Sequence, residues 1–223
     1  NPLQAFLRMK KGLPRHPATH VIFNVSLDNH NRNLEPLVSL RGGMPEVVVR
    51  PSFHVDETCG LVKAPRPVFT KEELYGLLDL DFMVERLGDE IMLKFVISIL
   101  RESDGDVTRL GEVRRVQRYP EPSEETRRYQ RAITDAGTRA TMCVLEQVEE
   151  YARQNDIKLF IFLTYMGHEM RDRLNGLPRW DEPFTQWLSG RPYPVLDAGE
   201  YQVDEFRRMN VTKEVFLDRF YVG

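Results

Sequence analysis

Apolar positions along this chain fall into two patterns: short β-rich runs, and longer stretches with a helical period. Leu3, Phe6, Leu7 and Met9 beside Arg8, Lys10 and Lys11 read as the end of an amphipathic helix, closed by Gly12 and Pro14. His20-Val21-Ile22-Phe23-Asn24-Val25-Ser26 is rich in β-branched and aromatic residues and bounded by turn formers, which predicts a buried strand. Lys158 to Tyr165 is the clearest strand, six of its eight residues being aromatic or aliphatic. Tyr193 to Leu196 is a third, ending at Asp197. Between the first two, Ser123-Glu124-Glu125 opens a long helix to about Asn155. Its Tyr129, Ile133, Ala136, Ala140, Cys143, Val144, Val148 and Tyr151 recur at spacings of three, four or seven. Residues 182–189 and Thr212 to Phe220 are shorter helices, the latter capped by Thr212.

The middle of the chain has another character. Arg41-Gly42-Gly43-Met44-Pro45 is a turn, and Val47-Val48-Val49 and Leu61-Val62 are β-prone pieces around Asp56-Glu57-Thr58-Cys59-Gly60. Brief strands flanked by Pro51, Pro65 and Pro67 predict a protruding hairpin. Thr70-Lys71-Glu72-Glu73 is a capping-box pattern, opening two helical stretches that part near Gly88-Asp89. Ile91 to Leu100 is apolar on nearly every side, as in a buried helix or a hydrophobic cap over a pocket. Arg109 to Ser123, charged and punctuated by prolines, reads as a mobile loop. Strands alternating with helices predict an α/β fold, a three-layer sandwich with helices on both faces of a mainly parallel sheet. One domain spans 1–223, with 41–122 as an insertion or cap region carrying the hairpin and the helices.

Composition narrows the function classes. The chain has 223 residues, 31 basic and 34 acidic side chains and a formal charge of −3, so no overall field draws in nucleic acid or an anionic surface. No stretch reaches the roughly 18 uninterrupted apolar residues of a membrane span. Cys59 and Cys143 are expected as two free thiols, with one bridge as the alternative. Asn1-Pro2 at the start and Gly223 at the end suggest a piece of a longer protein, and the compartment stays open.

In a parallel sheet, active residues collect at the carboxyl ends of the strands, here Ser26 to Asn33, Thr164 to Glu169 and Asp197 to Gly199. The densest polar cluster, Asp28-Asn29-His30-Asn31-Arg32-Asn33, follows the first strand. Its amides suit donation to a developing oxyanion, His30 suits moving a proton and Asp28 suits orienting it. A loop satisfying its own backbone is the competing explanation. His168, after the second long strand, is the next candidate. His16, His20, His30, His54 and His168 show no zinc-ligand spacing, and neither a phosphate loop nor a Gly-x-Ser-x-Gly elbow is present, so no metal and no cofactor is expected. Arg114, Arg115, Arg118, Arg127, Arg128 and Arg131 are diluted by Glu112, Glu121, Glu124 and Glu125, which reads as a solvated face and not a nucleic-acid patch. Trp180 and Trp187 suit either a substrate cleft or core packing.

Val21 to Leu34 resembles the third conserved block of SGNH (GDSL-type) hydrolases, where a hydrophobic strand leads into Gly-x-Asn-Asp. Phe216-Leu217-Asp218-Arg219-Phe220-Tyr221-Val222-Gly223 resembles the lead-in to that family's catalytic-histidine block. The resemblance implies a flavodoxin-like fold and a serine esterase or acyl hydrolase acting on a small-molecule ester. Asn29 would then be the oxyanion donor beside Asp28 and His30, with Arg32, Asn33 and His168 on the substrate. The chain departs from the pattern. Ser26-Leu27-Asp28-Asn29 exchanges the Asn and Asp, and neither the nucleophilic serine block nor the general-base histidine is identified in this chain. The 223-residue piece alone is therefore expected to be inactive, and a non-catalytic α/β binding module is the rival reading.

Overall fold

A computed structural model describes residues 2–26, 30, 53–56, 58–63, 70–76, 79–88, 91–102 and 123–221. The chain divides into two compact units, residues 34–137 and a second made of 1–33 with 138–223. The first holds the whole of the expected 41–122 insertion.

The discontinuous unit is built on a three-stranded parallel sheet: β1 (His20–Ser26), β4 (Lys158–Thr164) and β5 (Val195–Asp197), in the order β1-β4-β5. Ile22 pairs with Phe160, and Phe162 with Leu196. Parallel neighbours need crossover connections, and helices supply them. α5 (Glu124–Gln154), of which residues 138–154 belong to this unit, runs into β4. α6 (Gly167–Leu174) and α7 (Glu182–Ser189) lie between β4 and β5. α1 (Pro2–Gly12) precedes β1, and α8 (Ala198–Met209) and α9 (Lys213–Phe220) follow β5.

Alternation along the strands decides where the core sits. Phe23 and Val25 of β1 and Leu159, Ile161 and Leu163 of β4 are buried, with Ala140, Val144, Leu145 and Val148 of α5, Leu3 and Phe6 of α1, and Phe184, Leu188 and Phe216. The other residues of the same strands face out. Ile22 is 72% exposed, Leu196 46% and Phe160 36%, and they line an apolar groove of about 590 Å³ with Phe162 and Pro194. The apolar runs predict helices on both faces; among the described residues Ile22, Phe160 and Leu196 leave this face open. Periodicity had concealed a two-sided strand, because Ile22 and Phe160 are as apolar as the residues beneath them.

The 34–137 unit holds a hairpin of β2 (Phe53–Val55) and β3 (Leu61–Lys63), antiparallel with His54 opposite Val62. Its turn is organised by Asp56, whose Oδ1 accepts from Thr58 N–H at 2.8 Å, Thr58 Oγ1 at 2.7 Å and Gly60 N–H at 2.7 Å. The expected first strand, Val47 to Val49, lies outside the described residues; the partner of Leu61-Val62 is Phe53–Val55. The capping box is present, Glu73 accepting from Thr70 N–H and Thr70 Oγ1 accepting from Glu73 N–H. Three helices follow where two were expected: α2 (Lys71–Gly76), α3 (Leu80–Leu87) and α4 (Ile91–Glu102). The extra break comes from Asp79, whose carboxylate accepts from Phe82 N–H at 3.0 Å and starts α3 afresh. Leu93 and Ser98 of α4 are buried. Apart from Ser123, the expected mobile loop lies outside the described residues. Neither cysteine is a free thiol, which corrects that expectation, since distance along a chain does not report distance in a fold.

The two faces of the sheet predict opposite responses. Leu163→Ala is expected to lower the unfolding free energy by about 2–5 kcal/mol, because it opens a cavity in a filled core. Ile22→Glu is expected to change it by less than about 0.5 kcal/mol. Urea unfolding of both variants checks the assignment, and equal losses would show that the outward face is packed.

Candidate functional site

The carboxyl ends of β4 and β5 meet in a cluster of charged and aromatic groups. Asp197 closes β5 and caps α8, its Oδ1 accepting from Gly199 N–H at 2.9 Å and Glu200 N–H at 3.2 Å. Its Oδ2 accepts from Tyr165 Oη at 2.9 Å and from Arg179 Nη1 at 2.8 Å. Tyr165 follows directly on β4. Arg179 also donates to Tyr165 Oη at 2.5 Å and to both carboxylate oxygens of Asp181, at 2.9 and 2.7 Å. One guanidinium thus joins two carboxylates and a phenol in the planar, forked geometry that arginine favours.

Burial sets the electrostatics. Asp181 is 3% exposed and Tyr165 8%. Burial, and then the nearby Asp197 and Asp181 charges, push the Tyr165 phenol far above its ordinary value. It therefore remains a donor at any physiological pH. Burial pulls the Arg179 pKa down, but its hydrogen bonds to Asp181 and Asp197 outweigh that and raise it. Arg173 completes the cluster, with Nη1 4.0 Å from Asp197 Oδ1 and Nη2 bound to Glu200. Gly199 is there because there is no room for more: a Cβ would sit 2.7 Å from the Tyr165 ring and 2.9 Å from Arg173 Nη1.

The 179–181 segment carries the cluster toward β1. Trp180 presents its ring edge-on to His30, centroids 5.8 Å apart, and Phe184 of α7 does the same at 4.7 Å. His30 is 1% exposed, and its Nδ1 shares a 2.8 Å hydrogen bond with Thr141 Oγ1 of α5. Burial lowers its pKa to about 4, with Asp181 pulling the other way. The imidazole is neutral at pH 7.

The fold thus separates the residues singled out by sequence. His30 is drawn into an aromatic cage. His168 lies exposed in the first turn of α6, where Glu169 accepts from Met166 N–H at 2.7 Å. Asp28, Asn29, Arg32 and Asn33 lie outside the described residues. Trp187 is covered by the Arg191 guanidinium 3.9 Å above its ring, and Trp180 remains 44% exposed. Tyr165 and Asp197 fall in the strand ends marked out by the parallel-sheet argument, whereas Arg179 lies in a loop and carried no signal. A second concavity, about 500 Å³, lies at the opposite edge of the sheet, lined by Glu149, Lys158 and Tyr193 among others.

Comparison with family models, curated proteins and solved structures finds no match to this chain.

The shared guanidinium makes a graded prediction. Arg179→Leu leaves the buried Asp181 carboxylate without its cation and is expected to destabilise the fold by about 2 kcal/mol or more. Tyr165→Phe removes one hydroxyl and is expected to cost about 1 kcal/mol. Chemical denaturation checks the order, and a reversal would mean that solvent already screens the ion pairs.

Proposed function

We propose that this chain is the scaffold of an SGNH-type serine esterase or acyl hydrolase acting on a small-molecule ester. The observation carrying the proposal is the parallel arrangement β1-β4-β5 with polar groups gathered at its carboxyl edge. That edge is where the segment resembling the oxyanion block leaves β1. On this reading Asn29 donates its amide to the oxyanion beside Asp28 and His30, and Arg32, Asn33 and the exposed His168 bind the substrate. Serine attacks the ester carbonyl, histidine takes the proton, and fixed donors stabilise the developing charge. The Tyr165–Arg179–Asp197 cluster holds the strand ends still, as donors aimed at an oxyanion require. The sheet becomes the middle of a three-layer sandwich, with the Ile22 and Phe160 face under a further layer.

A non-catalytic binding module is favoured by a different observation. The groups of the described cluster are bound mainly to one another.

Residues 1–223 alone are expected to give no turnover of a short-chain p-nitrophenyl ester above the buffer rate, since nucleophile and base act as a unit. The reading itself is tested by treating the product of the complete gene with a fluorophosphonate probe. A serine adduct supports the hydrolase; absence of an adduct in folded protein favours the binding module.

A further inference from the structure

Among the histidines whose side chains are described, His30 alone is buried. It follows β1 by four positions, yet its ring is enclosed by α5 and α7: Thr141 on one side, Phe184 and Trp180 edge-on around it. Only Nδ1 has a hydrogen-bond partner; Nε2 is buried and has none. A ring closed off in this way suits a packing contact better than passing protons to a substrate.

We propose that His30 is an acid-released contact, whose neutral imidazole seats residue 30 against Thr141 and Phe184 and whose protonation drives the ring out of that seat. The imidazolium carries an N–H on both nitrogens, of which the one on Nε2 has no acceptor, and it places a charge within an aromatic wall. The charged group acting on the ring is Asp181, at the start of α7. Its carboxylate is already committed to Arg179 through bonds of 2.9 and 2.7 Å. From α5 the ring meets the uncharged Thr141, and from α7 the uncharged Phe184. Asp181 therefore softens the penalty without removing it. Trp180, fixed between Arg179 and Asp181, is a wall of the cage and its natural reporter.

The sign follows from linkage. The ring has a pKa of about 4 when seated, against an ordinary 6.5 when released. The released state binds more protons throughout that window. The contact is fully in force above about pH 6.5 and weakens as pH falls toward 4. Between pH 7 and pH 4 the ratio of released to seated molecules is expected to rise about a hundredfold.

The test uses the whole chain with Trp187→Phe, leaving Trp180 as the sole indole. Its fluorescence is titrated from pH 8 to 3.5 while far-ultraviolet circular dichroism follows the helices. Release of the ring predicts a step in indole emission below pH 6, reversible and preceding any loss of helix. His30→Gln keeps a side-chain amide for Thr141 but cannot titrate, and is expected to remove the step. The imidazole resonances of His30 in the unsubstituted chain provide a second reading that does not depend on the variant folding. They are expected to titrate well below the ordinary value of 6.5. An unchanged step in His30→Gln, a His30 titration near 6.5, or a step that coincides with global loss of helix would each overturn the proposal.

Discussion

The carboxyl edge of the sheet is organised around the carboxylate of Asp197. One oxygen starts α8 and the other receives the Tyr165 hydroxyl and the Arg179 guanidinium. A strand end, a helix start and a loop thereby meet on a single charge. Removing water from such a charge is costly, and four donors within hydrogen-bond distance offset that cost. The packing around it follows. Gly199 must lack a side chain, Tyr165 must remain protonated, and Arg179 must be long and planar enough to reach both Asp181 and Asp197.

Order passes outward from that knot. Arg179 fixes Asp181 and, between them, Trp180; Trp180 and Phe184 then close around His30. The ends of β4 and β5 are in this way tied to one set of interactions. A site whose chemistry depends on donors held at fixed distances gains from such an edge, because little reorganisation remains to be done when charge develops. The same edge would give a binding module a surface of constant shape.

Much of the scaffold was legible in the sequence, for local reasons. His20 to Ser26 and Lys158 to Thr164 carry β-branched and aromatic residues in short bounded runs, and Thr70, Ser123 and Thr212 have side chains that bond backbone within one turn. α6 and α8 were not foreseen, their exposed faces being mostly charged or polar. Glu169, and the Asp197 to Glu200 spacing, were the cap signals that mark them. The cluster was half legible: strand ends pointed to Tyr165 and Asp197, but a guanidinium arriving from a loop leaves no periodic trace. His30 stood out as a polar residue in a polar run, and its burial against Phe184 rests on contacts with residues far along the chain. Nothing in Ile22 or Phe160 distinguished outward from inward, since apolarity alone does not say which face of a strand is covered.

The open face of the sheet also bears on how the molecule behaves in company. Ile22, Phe160 and Leu196 form a contiguous apolar surface on a chain whose formal charge is only −3. Charge repulsion between copies is correspondingly weak, and burial of such a surface is favourable and not directional. Encounters between two such faces rise with the square of concentration, whereas the knot at Asp197 is indifferent to it. The chain's colloidal state is thus governed by its dilution, and its internal order by chemistry on the other side of the sheet's edge.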